Sequence, residues 1–467
     1  MVNELQTLQP QVVKCERPQP ADRRAMSKAG LALAQTLARR VRLVKDLERR
    51  LPGRKDPRQG FTVPAVLMAL AHGLLSGGRG YQATEPMRGD KQLLKVLGLK
   101  RAPAAETVEE VLKHLAACER RHPSGAMAGL TGANAARLIG RTPMREMTLR
   151  DGRHDFVPVF GDGSLVEVSG KDFDAIKVID KERGQLAAGV FVGPYAAGLS
   201  VAGEGEGELS AVRGLLAQAV EDVLRPCRLL KRALFVLDAL YGNGPTLDEL
   251  ERWRGASYVV GAGALSEAQR LMAELAESQW RATGAQRKRG WEDSAVATVW
   301  LQCADWPVKR TMVCRRWRRA GEMIWNYAAV ITNLEPSDPR IAARMKAGGV
   351  GYEETIWRLY NCKQGLENQW KELLSDLGLH RLPCARSAVN SVFFGAAALA
   401  YNLAVGVRLI GLEGSDRHMR LWRLRRDVFD VAGHAMRHGR QVFVRLLHAC
   451  DERIDRLLAA MQRLAQA

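Results

Sequence analysis

Phe156-Val157-Pro158-Val159-Phe160-Gly161-Asp162-Gly163 and Ala233-Leu234-Phe235-Val236-Leu237-Asp238-Ala239-Leu240-Tyr241 are two short apolar runs, each followed by an aspartate and a turn-forming stretch. Apolar runs of this length read as buried strands. Asp162 is therefore expected at or just past the end of one strand, and Asp238 directly past the end of another. If the two strands are neighbours in one sheet, their carboxylates meet at one edge. That suits two-metal phosphoryl transfer, in which carboxylates converge on divalent ions about 3.5–4 Å apart. An acid after a strand is also an ordinary loop residue, and it is the matching context of these two that argues for chemistry. Asp151, Asp155, Asp172, Asp174 and Asp180 directly end no strongly apolar run and read as solvated acids.

Outward from these runs, residues 165–168, 189–192 and 258–260 also read as strands, while 209–224 and 246–253 have helical periodicity. The order β-β-β-α-β-α-β predicts a mixed sheet with helices packed on it. Upstream, residues 27–141 are helical in pattern: Leu33, Leu37, Val41, Val44, Leu47 and Leu51 recur at steps of three or four, with Arg39, Arg40, Arg42, Lys45, Arg49 and Arg50 between them. A second helix is expected over Val63–Leu75 and a third from Thr107, where Thr107 and Glu110 have capping-box spacing. Downstream, strand-like runs at 295–303, 309–317 and 324–332 form a segment that looks inserted, and helices are expected over 385–410, 417–445 and 452–464.

The fold class expected is α/β: a mixed-sheet core with a helical N-terminal domain, a β-rich insertion and a helical C-terminal region. The boundaries expected are 1–150 for the helical DNA-binding domain, 151–261 and 351–412 for the two parts of the core, 262–350 for the insertion and 413–467 for the basic C-terminal region.

The net charge of +19 and pI near 9.9 describe a surface that attracts polyanions, with basic residues spread along the whole chain. The eight cysteines form no C-x-x-C pair, so the pattern signals neither a zinc site nor a disulfide framework. The N-terminus does not read as a signal peptide, and a cytoplasmic location is expected. The longest apolar stretch, 392–407, contains Asn402 and two glycines and reads as a buried helix, with no membrane partner expected.

The third acid of interest lies in Tyr360-Asn361-Cys362-Lys363-Gln364-Gly365-Leu366-Glu367-Asn368-Gln369-Trp370-Lys371. On a helix Tyr360, Lys363, Glu367 and Lys371 share one polar face. Read alone, this stripe is equally a surface salt-bridge ladder.

The phrase Tyr360-x-x-Lys363-x-x-x-Glu367, followed by a helix reaching Leu379 and an apolar helix containing Asn402, resembles the C-terminal signature of bacterial insertion-sequence transposases of the cut-and-paste DDE branch. The resemblance extends to Gly161-Asp162-Gly163-Ser164, to 236–241, to the β-rich insertion and to the basic C-terminal end. It implies that the mixed-sheet core is RNase H-like, with Asp162, Asp238 and Glu367 as ligands of two Mg2+ ions and Mn2+ as a substitute. It implies Tyr360 and Lys363 as phosphate-positioning residues, Lys363 standing where arginine is more usual. Lysine keeps the charge but lacks the bidentate fork. Leu374 occupies the place of a further lysine often found two turns after the glutamate, which leaves Lys371, one turn after it, as the candidate DNA contact. The implied partner is double-stranded DNA, both terminal inverted repeats and target, bound by a homodimer on paired ends. The implied reaction is end cleavage followed by 3′-OH strand transfer. A DNA-binding protein with a decayed site and a nuclease that cuts without joining stay open as alternatives.

Other motifs carry less. Seven of the ten tryptophans lie between Trp253 and Trp325 among many arginines, which suits a nucleic-acid surface or a small β core. In related enzymes an insertion-domain tryptophan can stack on a flipped base, for which Trp291, Trp300, Trp317 and Trp325 are candidates here. The alternating Gly/Glu stretch 203–208 reads as a loop, since its acids would repel phosphate, and His434 with His438 reads as part of a DNA-facing or solvated helix.

Overall fold

The computed structural model describes residues 10–13, 25–53, 60–119, 126–149, 153–263, 265–283, 291–438, 441–446 and 451–466. Cys15, Cys450, Asp151, Arg287, Lys288, Arg289 and Arg440 lie outside them. The chain divides into two compact units: Met1–Glu146, Gly163–Val223 and Asn368–Ala467 form the first, and Met147–Asp162 with Leu224–Glu367 the second.

The first unit is built around the helix Ser387–Gly406, which packs against Val63–Leu75, Ala105–Glu119, Ala126–Ile139 and the strand Tyr195–Val201. With its π-helical continuation to Gly411 it is long and apolar enough to cross a membrane, yet it is buried inside the protein, as read from Asn402 in its apolar run. The Asn402 amide explains how a polar group is tolerated there. Its Nδ2 donates to the Ala196 carbonyl and its Oδ1 accepts from the Ala196 N–H, both at 2.9 Å, so a strand residue satisfies both ends. Ile176–Ile179, Glu182–Val192 and Tyr195–Val201 form an antiparallel meander in this unit.

Several expectations about helices need correction. The run read as one basic helix is two, Leu31–Arg40 and Leu43–Arg50, broken where Arg42 takes a left-handed conformation (φ 55°). The capping-box reading at Thr107 is wrong, since the helix starts at Ala105, just after Pro103, and Glu85 accepts from the Ala105 N–H at 2.9 Å. A remote carboxylate does the work assigned to Thr107. Residues 417–445 are not one helix but a short helical turn and a hairpin of Gly433–His438 and Gln441–Leu446. The period-two burial of Val442, Val444 and Leu446 carries that signal, and arginine content masks it. His434 and His438 are thus strand residues, not neighbours on a helix turn.

His72, fully buried in Val63–Leu75, faces the Met68 carbonyl through Nδ1 at 2.7 Å. Burial pushes its imidazole down from 6.5 to about 4, against the hydrogen bond to Met68. A depressed histidine stays neutral in the fold while the unfolded chain takes up a proton below 6.5, so its stability contribution is lost as pH falls from about 6.5 to about 4. The full loss is roughly 3 kcal/mol. Denaturation of His72→Phe and wild type across this window should show the steeper acid loss only in wild type; parallel curves would remove His72 from the account.

In the second unit, residues 157–161 of the strand Val157–Glu167 pair parallel with Ala233–Leu237, which pairs parallel with Ser257–Gly261. The segment that reads as an insertion continues this sheet: Asn326–Thr332 joins Ser257–Gly261 antiparallel, and Arg310–Arg319, Trp291–Leu301 and Arg281–Ala282 follow. Thr332 Oγ1 donates to the Tyr258 carbonyl and Asn333 accepts from the Tyr258 N–H, locking the join. The helices Pro339–Gly348, Tyr352–Asn361 and Gln364–Lys371 come next in the chain. The result is a mixed parallel and antiparallel sheet accompanied by helices, consistent with an RNase H-like core.

Candidate active site

Asp238 directly follows its strand, as expected. Asp162 does not end one, because Val157–Glu167 runs on past it and includes the separately expected run from Leu165. What ends at Asp162 is the parallel pairing, whose last register pair is Gly161 with Leu237. Each aspartate is therefore the next residue after the same rung of two adjacent parallel strands, and period-two geometry carries them to one edge.

Lys363 joins them. Its Nζ donates to Asp238 Oδ2 at 2.7 Å and lies 3.9 Å from Asp162 Oδ2. Asp238 Oδ1 accepts the Ala239 N–H at 2.7 Å, capping the turn Ala239–Tyr241, and receives the Tyr360 hydroxyl at 3.5 Å. Burial pushes the Asp238 carboxyl up, but Lys363, the Ala239 N–H and Tyr360 outweigh it and hold it below the usual aspartate value. Burial and the Asp238 charge push the Tyr360 phenol up, so its proton stays available as a donor at neutral pH.

The turn at Cys362–Lys363 interrupts the helix expected to carry the polar stripe. The Lys363 N–H bonds the Tyr360 carbonyl and the Leu366 N–H bonds the Lys363 carbonyl, a tighter i to i+3 pattern. Tyr360 and Lys363 reach Asp238, whereas Glu367 is exposed. Among the described residues no group of three or more His, Cys, Asp or Glu side chains stands close enough to hold a metal. The structure thus brings together Asp162, Asp238, Tyr360 and Lys363 without Glu367. Lys371 is exposed at the last position of its helix, before a π-helical turn at Glu372–Asp376.

Two supporting residues were not legible in the sequence. Trp357 meets the Tyr360 ring edge-on at 5.8 Å and is itself covered by the Arg315 guanidinium at 4.8 Å, which fixes the phenol's direction. Their i, i+3 spacing was the available signal. Gly261 ends the neighbouring strand, and a Cβ there would lie 2.6 Å from the Ala239 nitrogen and 2.9 Å from Tyr360 Oη. Backbone cannot yield as a side-chain tip can. Gly261→Ala is expected to cost about 1–3 kcal/mol by overpacking; a variant with wild-type melting would show that the approach is not tight.

Much of the described arginine and tryptophan texture is engaged within the protein. Arg310 bonds Asp248 and Glu251 at 2.6 and 2.7 Å, Arg315 bonds Glu354 at 2.7 Å, and Arg316 bonds Glu277 at 2.7 Å while lying over Trp280 and Trp325. Arg318 pairs with Asp293 and Arg281 with Glu353. Acids on neighbouring elements, remote in sequence, meet these five arginines. Of the three stacking candidates whose side chains are described, Trp300 is the most open at 60% exposure, with Lys309 over its ring; the side chain of Trp291 lies outside the described residues.

A mixed sheet with two aspartates just past the last shared rung of adjacent parallel strands is the architecture of an RNase H-like core. The model of the family described as transposase DDE domain, group 1, matches residues 206–467, and the chain belongs to that family. The match includes Asp238, Tyr360, Lys363 and Glu367, and Asp162 precedes it. No curated protein matches the chain.

Proposed function

We propose that this transposase cleaves DNA at the ends of its element and joins the freed 3′-OH to target DNA, with Asp162, Asp238 and Glu367 holding two Mg2+ ions that Mn2+ can replace. The observation that carries the reading is the pairing of Asp162 and Asp238 around one positive charge, the Lys363 ammonium. Hard oxygen donors, 26% and 51% exposed, with a cation already between them, fit a divalent ion that keeps part of its water shell. Glu367 completes the donor set in this proposal. Bound there, the ions would activate the attacking oxygen and stabilise the leaving one.

The chain's own groups do the rest. Asp238, kept ionised by Lys363, the Ala239 N–H and Tyr360, stays a charged ligand at neutral pH. The Tyr360 hydroxyl donates, and Lys363 supplies a compact charge that can pass from Asp238 to a phosphate oxygen. Lys371 offers a further phosphate contact from its exposed position.

DNA attraction has a second source in the helical region. Arg141 is pushed down by burial and by Arg137, Arg42 and Arg40, which marks a cluster of like charges that a polyanion would relieve. Two copies on paired ends are the proposed assembly.

The test is nicking of a plasmid that carries the element's own flanking DNA, with Mg2+, Mn2+ or chelator, followed by joining of pre-nicked ends. Metal-dependent nicking with joining supports the proposal. Nicking without joining reduces it to a nuclease, and tight binding that never cuts favours a decayed DNA-binding protein.

A further inference from the structure

We infer that a cavity beside the Tyr360-bearing helix, away from the aspartates, takes a backbone phosphate of a bound DNA strand; the inference rests on the DNA reading above. The cavity is about 410 Å3, and Arg153, Arg344 and Arg358 line it together with apolar Leu149, Val350 and Leu359. Among the described residues no carboxylate lines it. Its size falls in the range of about 300–1,000 Å3 usual for ligand sites, and planar guanidinium forks over an apolar wall suit a phosphate carrying its sugar.

Two acids stand behind the lining. Asp155 accepts from Arg344 at 2.6 Å, while Glu354 lies 2.7 Å from Arg315 and 3.9 Å from Arg358. Three guanidiniums, those of Arg153, Arg344 and Arg358, thus share the lining itself. Gly348 keeps the space available: a Cβ there would stand 2.8 Å from Arg358 Nη1.

The position gives the ligand a consequence. Thr355, Arg358, Leu359 and Cys362 line the cavity at steps of three, one and three, which is one helical stripe. Tyr360 and Lys363 lie on the neighbouring stripe and face Asp238. A phosphate held by Arg358 would brace the helix and the turn that present both groups to the aspartates.

The test measures affinity for a labelled duplex against salt for wild type, Arg358→Gln, Arg153→Gln, the double variant and Arg358→Lys. Arg252→Gln, an exposed charge loss away from the cavity lining, is the comparison. Each lost phosphate contact should flatten the log–log salt slope by about 0.9 and weaken binding about eightfold at 0.1 M salt relative to 1 M, with about sixtyfold for the double variant. Arg358→Lys should keep the slope, and because it preserves charge it carries the test if Arg358→Gln melts early.

Unchanged slopes in both single variants, or an equal change in Arg252→Gln, overturn the cavity assignment while leaving the transposase reading intact. Wild type without DNA affinity overturns both. A second arm adds inorganic phosphate alone: if it raises the melting temperature of wild type but not of the double variant, and duplex DNA does not compete, the site takes a free anion and the DNA assignment is wrong.

Discussion

Asp238→Asn is expected to reduce Mg2+-dependent cleavage by about 10^3-fold or more, the equivalent of several kcal/mol of transition-state charge stabilisation, while affinity for DNA holds or rises. The asparagine keeps the shape, and its one carbonyl oxygen can still accept the Ala239 N–H in the Oδ1 position, so the turn should stay folded, while the NH2 that replaces Oδ2 gives up the Lys363 bond. What it loses is the negative charge that Lys363, Ala239 and Tyr360 hold ionised. Asp162→Asn should fall equally far, since its carboxylate faces the same ammonium. The instructive comparison is Glu367→Gln. Exposed and outside the aspartate pair, Glu367 reaches the scissile phosphate only if the donor set closes around metal. A loss matching the two aspartates makes it the third ligand; near-normal cleavage returns it to the exposed salt-bridge face that the sequence allows. Plasmid nicking with parallel anisotropy separates loss of chemistry from loss of binding, and an Asp238→Asn protein that still cuts at wild-type rate ends the metal-site assignment.

The sequence made the aspartates legible because parallel strands impose a common end. Two apolar runs ending on acids needed only adjacency, and the register of Gly161 with Leu237 supplies it. The burial of 392–407 was legible for a similar reason: one polar residue in a long apolar run needs an internal partner, and Asn402 has Ala196. The failures share a different cause. The start at Ala105 depends on Glu85, the neutralised arginines of Arg310–Arg319 depend on acids such as Glu251 and Glu354, and the approach of Tyr360 depends on Gly261. Each is a contact distant in sequence, which local pattern does not encode. Glu367 differs again. Its helical spacing from Lys363 was visible, but the tighter turn at Cys362–Lys363 changes the phase that the spacing argument assumed.

Glu372→Gln is expected to be the most destabilising single change in the first unit, costing about 3–5 kcal/mol. Both side chains of the Glu372–Arg408 pair are largely buried, at 8% and 10% exposure. Glu372 takes Arg408 Nη1 at 2.7 Å and Nη2 at 2.9 Å, and also accepts the Leu421 N–H at 3.0 Å, while Nη1 donates to the Met419 carbonyl at 2.6 Å. The pair thereby ties the π-helical turn Glu372–Asp376 and the end of the long buried helix to the chain at Met419–Leu421. Removing the charge leaves the guanidinium without its counter-ion in a region with little water to compensate. The cost comes from orphaning a charge and is not the net worth of the pair, so the double change Glu372→Leu with Arg408→Met should recover most of the loss. Chemical denaturation of the single and double variants decides it: a double variant as unstable as the single one would mean that the bonds to Met419 and Leu421, and not the ion pair, hold this corner together.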